Sequence, residues 1–256
     1  MTSKTETINK EPVLSNLMRK KHFADFYDAL ADKKEAGQRS LKVQKYINKH
    51  HKKAKSILEL GTGNGNVLSF FPEKYKLSGL DIEKRYVKLA KRKVKRAKLY
   101  AASMHNFEIP DKFDAIFSIF DSINFLKNFK QWKQTFDTVH KHLNDSGLFI
   151  FDMYTPLMLK ETKKAKPRLF KESFGFLLDK GIVKGNTLTW HFHIYEKKKG
   201  NKYNLHSFFF TEKIFPPNKA EALLRKKFKI LEKVDGDTLK KPGKYTTRLL
   251  YVVRKK

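Results

Sequence analysis

The stretch SILELGTGNGNVL, residues 56–68, is the part of the sequence that decides the fold. An apolar run with one internal carboxylate leads into three glycines that alternate with small polar residues. A buried strand, a glycine-rich turn and a helix that begins at NVLSFF are expected in that order. Glycine permits a tight turn and lets a ligand approach the backbone, and a helix N-terminus adds N–H groups and a positive dipole. The stretch therefore predicts a strand–turn–helix unit with a ligand site at the turn.

Strand and helix patterns alternate on the C-terminal side of this stretch. Between residues 55 and 156, short apolar runs separated mostly by helix-length segments predict a parallel sheet with right-handed crossovers. One helix is marked by apolar residues at spacings of three and four from Phe129 to Leu143. The segment 157–214 differs, because NTLTWHFHIYEK alternates apolar and polar side chains, and about three antiparallel strands are expected there. A helix and two strands follow in residues 215–256.

The composition is that of a packed protein. The chain has 256 residues, of which 40% are hydrophobic and 13% aromatic, which is enough for one domain with an elaboration or for two small domains. No cysteine is present, which excludes disulfides and cysteine-based zinc or redox chemistry. The N-terminal residues lack an apolar signal region, and no apolar run is long enough to span a bilayer. We therefore expect a cytoplasmic protein without a membrane partner.

The net charge of +30 is unusual and suggests a polyanionic partner. Two observations weaken that interpretation. Arginine, whose forked guanidinium suits phosphate recognition, accounts for only 9 of the 56 basic residues. The lysines are also spread over every segment, and the densest stretch, residues 83–98, is typical of the solvated face of a helix. A nucleic-acid partner therefore stays open but is not favoured.

The glycine pattern narrows the choice of ligand. Gly61-x-Gly63-x-Gly65 is followed by Asn66, so the dinucleotide fingerprint G-x-G-x-x-G is broken. A Gly-Lys-Ser/Thr sequence is absent, so the turn is not a Walker A loop either. A turn with a purely structural purpose is the alternative to a ligand site.

Two acids beside the glycines favour a nucleoside with an amino group and no phosphate. Glu59 stands two residues before the first glycine, where a carboxylate would repel a pyrophosphate and attract an ammonium group. Asp81 ends the second predicted strand, and an acid there can accept hydrogen bonds from both ribose hydroxyls. S-adenosylmethionine (SAM) fits this description.

At this point the sequence resembles the class I SAM-dependent methyltransferases, over most of residues 21–256. The stretches that carry the resemblance are ILELGTGNGNVL, LSGLDIEKRYVKLAKRK, AASMHNFEIPDKFDAIFSIFDSINFL, HLNDSGLFIFDMYTP and TTRLLYVVRKK. Within that class, FDSINFL and the insert after the fifth strand look most like small-molecule methyltransferases, among which amino-sugar N,N-dimethyltransferases are the most similar.

The resemblance implies a Rossmann-like, doubly wound α/β fold. Its seven-stranded sheet would be mostly parallel with an antiparallel last strand, and an antiparallel β-insert would be added to it. The expected division is a lead-in and helical lid in residues 1–54, a SAM-binding core in 55–156, an acceptor-side insert in 157–214, and the completion of the core sheet in 215–256. The protein would be a monomer or a homodimer.

The resemblance also implies the binding site, residue by residue. The positions expected to bind SAM are Glu59, Gly61, Gly63 and Gly65 for the methionine part, Asp81 for the ribose, Ile82, Ser103 and Met104 for the adenine, Phe120 beside the sulfonium, and Tyr27 closing over the cofactor. Asn124, Phe125 and Trp190 are expected to face the acceptor, and no metal is expected.

Two positions depart from the family pattern. Ser103 stands where the family usually has an aspartate that accepts from the adenine amino group, and a hydroxyl accepts more weakly. Phe125 stands where the family often has tyrosine or histidine, and a phenyl ring cannot transfer a proton. Because a neutral amine needs no base during the displacement itself, the acceptor is expected to be an amine. Tyr27 and Asp121 are the candidate catalytic residues.

Two alternatives to a small-molecule methyltransferase remain. An RNA or protein methyltransferase would use the basic surface to guide its substrate, although an NPPY-type loop after the fourth strand is missing. A non-catalytic SAM-binding protein would account for Ser103 and Phe125.

Overall fold

The computed structural model of the chain describes residues 23, 24, 26 and 30, and then 32–256 without a gap. The predicted lead-in, residues 1–20, and Tyr27 lie outside the described residues. The helices are α1 (Lys33–His50), α2 (Lys84–Lys93), α3 (Phe129–His142), α4 (Pro156–Lys164) and α5 (Pro217–Lys227). The strands are β1 (Ser56–Leu60), β2 (Lys76–Asp81), β3 (Lys98–Ala101), β4 (Phe113–Ser118), β5 (Leu143–Tyr154), β6 (Arg168–Glu172), β7 (Gly175–Lys184), β8 (Thr187–Lys197), β9 (Tyr203–Lys213), β10 (Phe228–Asp235) and β11 (Arg248–Lys255).

Seven of these strands form one sheet in the order β10-β11-β5-β4-β1-β2-β3. The pairs from β3 to β5 are parallel, and β11 is antiparallel to both β10 and β5. The central strands are continuous apolar runs because helices cover both faces of the sheet. This sheet confirms the predicted fold class, including the antiparallel last strand.

Each face of the sheet has its own core. On one face, α1 and α2 pack through Val43, Ile47, Val87 and Ala90 against strand residues such as Ile57. On the other face, α3 and α5 contribute a second set of buried side chains, which includes Trp132, Phe136, Val139, Ala220 and Leu224. The two cores fix the carboxyl edge of the parallel strands, where ligands bind in open α/β sheets.

The prediction of a helix that begins at NVLSFF is wrong. Only one turn of 3-10 helix forms there, at Leu68–Phe70. Phe71 leaves the turn in an extended conformation and stacks on Phe117 of β4, with ring centroids 5.3 Å apart. Pro72 follows at once and cannot continue a helix. The glycine turn is therefore not followed by a long helix whose dipole could act on a ligand.

The insert is a separate antiparallel sheet of four strands in the order β6-β7-β8-β9, rather than the expected three. The first of the four strands, β6, has three charged and two apolar residues and is largely exposed. Two described residues of the N-terminal segment pack on this sheet. Phe23 contacts Phe210 with ring centroids 4.8 Å apart, and Phe26 contacts Phe174 at 5.4 Å.

Candidate active site

The glycine turn follows β1 and is hydrogen-bonded to the end of β2. The N–H groups of Gly61 and Thr62 both donate to the carbonyl oxygen of Leu80, each at 2.9 Å. Gly61, Gly63 and Gly65 all have positive φ, at 71°, 53° and 80°, a region that residues with a Cβ atom rarely adopt. A Cβ atom on Gly61 would also lie 2.9 Å from the side chain of Ser122, so the turn approaches the loop after β4 closely.

Glu59 is a buried carboxyl group at the base of this turn. Its side chain is 3% exposed, and Oε2 accepts a hydrogen bond of 2.8 Å from the Thr62 hydroxyl. Burial raises the pKa of Glu59 to about 8, against the opposing effect of that hydrogen bond, and the nearby Asp81 raises it further. A cation placed here would recover the energy that the empty site loses by burying an acid.

Asp81 ends β2 and faces the same turn. Its Oδ2 accepts from the Gly63 N–H at 2.9 Å, and its Oδ1 accepts from the Glu83 N–H at 2.9 Å. Burial raises the pKa of Asp81, and the two backbone hydrogen bonds partly oppose that shift. Because each carboxylate oxygen can accept a second hydrogen bond, Asp81 can still bind two hydroxyl groups.

The residues expected at the adenine lie next to Asp81. The Ile82 side chain is 69% exposed and free to cover a planar group. The Ser103 hydroxyl is 2.6 Å from His105 Nδ1, so it already has a partner within its own loop. The Met104 methyl carbon is 3.5 Å from where a Cβ of Gly61 would be, which brings it to the glycine turn.

The loop after β4 is held in an unusual conformation. Phe120 and Asp121 both have positive φ, 58° and 51°. Their N–H groups donate to the two carboxylate oxygens of Asp152, at 3.2 and 2.6 Å. The Arg39 guanidinium lies 3.9 Å above the Phe120 ring and 3.3 Å from Asp152 Oδ2. These contacts hold a strained loop in place at the carboxyl edge of the sheet.

A buried group of charges lies behind that loop. Arg248 Nη1 is 2.6 Å from Asp121 Oδ1 and 3.3 Å from Asp152 Oδ2, and its Nη2 donates to the Tyr154 hydroxyl at 2.9 Å. Burial raises the pKa of Asp152 although Arg248 opposes it. Burial alone would lower the pKa of Arg248, but the carboxylates of Asp121 and Asp152 raise it well above its usual value. Burial also raises the pKa of Tyr154.

The three residues predicted to face the acceptor have different surroundings. Asn124 is fully buried: its Nδ2 donates to the Lys213 carbonyl at 2.9 Å, and its Oδ1 accepts from the Tyr154 N–H at 3.0 Å. It therefore links the insert to the core sheet. Phe125 is 46% exposed and lies 6.4 Å from the Phe210 ring of the insert. Trp190 packs partly buried on the same side of the insert sheet.

Comparison with known proteins agrees with this geometry. A family model described as a methyltransferase domain matches residues 57–147, which include the glycine turn, β2, β3 and β4. The predicted resemblance to class I SAM-dependent methyltransferases is thereby confirmed for the part of the chain that contains the candidate cofactor site.

Similar proteins share the methyltransferase fold over a greater length. A SAM-dependent methyltransferase from Clostridium acetobutylicum ATCC 824 has a TM-score of 0.79 at 23% identity, over 91% of this chain and 97% of its own. SAM-bound CalS10, an amino pentose methyltransferase from Micromonospora echinaspora, has a TM-score of 0.73 at 16% identity, over 91% of this chain and 96% of its own.

A sequence relative matches a shorter part of the chain. The dTDP-3-amino-3,4,6-trideoxy-alpha-D-glucopyranose N,N-dimethyltransferase of Streptomyces venezuelae is 24% identical over 132 residues, 50% of this chain and 56% of that protein. The chain spans about half the length of the curated relatives it matches. No helix among the described residues is long and apolar enough to cross a membrane.

Four charged residues at or beside the candidate site were missed by the sequence analysis: Arg39, Asp152, Glu212 and Arg248. Asp152 and Arg248 could have been found, because each is a charged residue directly beside a long apolar run, in GLFIFDMY and TTRLLYVV. Such charges are usually buried only with a partner. Glu212 lies in an alternating strand, where a charged side chain ordinarily indicates the solvent face.

Proposed function

We propose that this chain is a SAM-dependent methyltransferase whose acceptor is a small molecule carrying an amine. The observation that carries the proposal is a pair of acids, the buried Glu59 and the half-buried Asp81, on either side of a glycine turn with positive φ. These acids suit a ligand with an ammonium group and a ribose and without a phosphate. The methyltransferase-domain match over residues 57–147 supports the same choice.

The residues present fit SAM. Glu59 would hold its ammonium group, Gly61, Gly63 and Gly65 would line the rest of its methionine part, and Asp81 would bind its ribose hydroxyls. Ile82, Ser103 and Met104 would surround the adenine, with Phe120 near the sulfonium. Tyr27 would close over the cofactor. Bound SAM supplies a methyl group activated by a positively charged sulfur.

The protein would contribute alignment and the exclusion of water. In-line displacement depends on how the two reacting atoms are held, and good alignment is worth about 7–11 kcal/mol in favourable cases. The strained loop of Phe120 and Asp121, fixed by Asp152 and Arg39, would form one wall of the reaction site. An amine acceptor suits this wall, because Phe125 offers no proton acceptor.

The insert would form the opposite wall and would be the acceptor side of the protein. Its inner face carries aromatic residues, and Phe23 and Phe26 cover part of that face. We also propose the four-part division given above, with the lead-in and helical lid in residues 1–54, of which α1 packs into the core on one face of the sheet. The carbonyl contact of Asn124 with Lys213 keeps the insert and the loop after β4 in a fixed relation.

Calorimetric titration with SAM and with S-adenosylhomocysteine (SAH) tests the proposal. We expect micromolar binding of both, weakened tenfold or more, about 1.4 kcal/mol, by Asp81→Ala. Asp145→Ala, which removes a fully exposed carboxylate, is the matched control and should bind as the wild type does. Failure of the wild type to bind either compound would refute the proposal. Tight binding without turnover of any amine in a broad panel would instead favour a non-catalytic SAM-binding protein.

A further inference from the structure

The insert sheet has an inner face that is covered and an outer face that is open. On the inner face, Leu177, Ile194 and Phe208 are buried together with the two N-terminal phenylalanines described above. Side chains alternate along each strand, so the positions between the buried ones lie on the outer face. Five outer-face residues are large, apolar and 43–65% exposed: Leu169, Ile182, Tyr203, Leu205 and Phe209.

Ring contacts between strands show that this open face is continuous. The Phe176 ring lies 5.9 Å from the Tyr203 ring, and the His191 ring lies 6.4 Å from the Phe209 ring. None of these four side chains belongs to a hydrophobic cluster of the described residues. A contiguous apolar patch on a protein surface commonly binds another molecule, because its contact with water is unfavourable.

The charged side chains of the outer face are five lysines, and all five lie at its margin. Lys184, Lys197 and Lys213 are the last residues of β7, β8 and β9. Lys171 belongs to the edge strand β6, and Lys180 lies just beyond the part of β7 that pairs with β6. The outer-face positions of these four strands include no acid and no arginine. An uncharged apolar centre with a charged margin is typical of protein–protein interfaces.

A nucleic acid would fit this face less well. Single-stranded nucleic acids bind where aromatic rings that stack on bases are combined with a cationic groove that follows the backbone. Here the aliphatic Leu169, Leu178 and Leu205 take up part of the face, and the lysines stand at the margin instead of between the rings. The arrangement therefore favours a partner with an apolar surface.

The size of the face agrees with what a dimer needs. The strands β7, β8 and β9 have 10, 11 and 11 residues, and β6 has 5. With about 3.3 Å per residue and about 4.8 Å between strands, the face has a projected area of about 600 Å². Two identical faces packed together would bury about 1,200 Å² in total, which is the lower end of the range for stable, specific interfaces.

We propose that the outer face of the insert sheet packs on the same face of a second copy of this chain, which makes the protein a homodimer. A sheet face suits this partner, because its regular rows of side chains can interdigitate with those of an identical sheet about 10 Å away. A two-fold axis in the interface keeps the lysines of both copies at the margin, where their long side chains reach water. The inference does not depend on the proposed function.

Sedimentation velocity of the full chain tests this pairing. Between about 1 and 100 μM protein, the measured mass should rise from the chain mass of 30.1 kDa to twice that value. Raising the salt concentration from about 50 to 500 mM should strengthen the dimer about twofold or more, because salt screens the repulsion between the marginal lysines. Binding to a polyanion would respond to salt in the opposite direction.

Leu205→Lys places a cation on the apolar part of the face in both copies and should weaken the dimer tenfold or more. Phe209→Lys makes the same test at a second position if Leu205→Lys does not fold. Leu41→Lys on α1 is the matched control, because it introduces the same charge at a leucine that is 65% exposed elsewhere, and the dimer should persist.

A chain that stays monomeric at every concentration, or a dimer that both variants of the outer face leave intact, would overturn the inference. A monomer that binds a single-stranded oligonucleotide or vesicles of anionic lipid more tightly after Leu205→Lys would also overturn it, and would assign the face to a polyanion.

Discussion

Replacing Glu59 with glutamine should stabilise the empty protein and weaken its binding of SAM. The Glu59 carboxyl is 3% exposed, and burial raises its pKa from 4.5 to about 8. At neutral pH the unfolded chain carries this group ionised, so folding has to protonate it or bury a charge. Glutamine has the same shape, keeps an acceptor for the Thr62 hydroxyl, and removes that cost.

The pH dependence of the effect follows from the sign of the shift. A carboxyl whose pKa is higher in the folded protein binds more protons there, so its stabilisation is complete below about pH 4.5 and is lost up to about pH 8. Relative to Glu59→Gln, the free energy of unfolding of the wild type should fall by up to about 1.4 kcal/mol per pH unit. Between about pH 5 and 7 this amounts to about 3 kcal/mol at most.

Urea unfolding of both proteins at several pH values measures this difference, and Glu161→Gln on the exposed face of α4 controls for the loss of one charge. The two stability curves should diverge between about pH 5 and 8 and run parallel outside that range. SAM should bind Glu59→Gln at least tenfold more weakly, because an amide cannot neutralise an ammonium group. Curves that stay parallel throughout, or a variant that binds SAM as the wild type does, would refute the reasoning.

Two further predictions concern positions that shape the site, and urea unfolding measures both. Gly65→Ala should lower the free energy of unfolding by about 2–3 kcal/mol, because φ is 80° and the new Cβ would lie 3.1 Å from the nearest side chain. Gly185→Ala is the matched control and should lower it by about half as much, because φ is 60° but no atom lies within 4 Å of the new Cβ. Asn124→Ala should lower the free energy of unfolding by about 2–4 kcal/mol, since it leaves the Lys213 carbonyl and the Tyr154 N–H without this partner. Asn128→Ala removes only the cap of α3 and should lower it by about 1 kcal/mol. Equal costs within either pair would contradict the corresponding explanation.

The sheet could be predicted from the sequence because its strands carry their own signal. A strand covered on both faces is a continuous apolar run, as in LFIFDMY of β5 and RLLYVV of β11. The spacing of three and four residues in α3 similarly marks a helix with one buried side. Glu59 and Asp81, at the ends of β1 and β2, were recognisable because a charged side chain beside an apolar run is seldom buried without a partner or a ligand.

The features that were missed depend on contacts between distant parts of the chain. The strand β6 pairs through its backbone, and its exposed side chains, three charged and two adjacent apolar ones, do not alternate. The predicted helix after β1 is replaced by a short turn because Phe71 gains more by entering the core than by extending a helix. Glu212 looks like a solvent-facing residue of an alternating strand, and only the approach of Asp121 across the junction reveals its burial.

The distribution of charge reconciles a cationic protein with the proposed cationic ligand. The chain carries a net charge of +30, yet burial raises the pKa of four acids: Glu59, Asp81, Asp152 and Glu212. Glu59 and Asp81 contact the glycine turn, Asp152 holds the loop after β4, and Glu212 stands where the insert meets that loop. Surface lysines are screened within about 8–10 Å at ordinary ionic strength, whereas buried acids are screened much less. A cation bound beside a carboxyl group favours its ionised form, so the pair of Glu59 and Asp81 suits an ammonium group and would disfavour a phosphate at the same place.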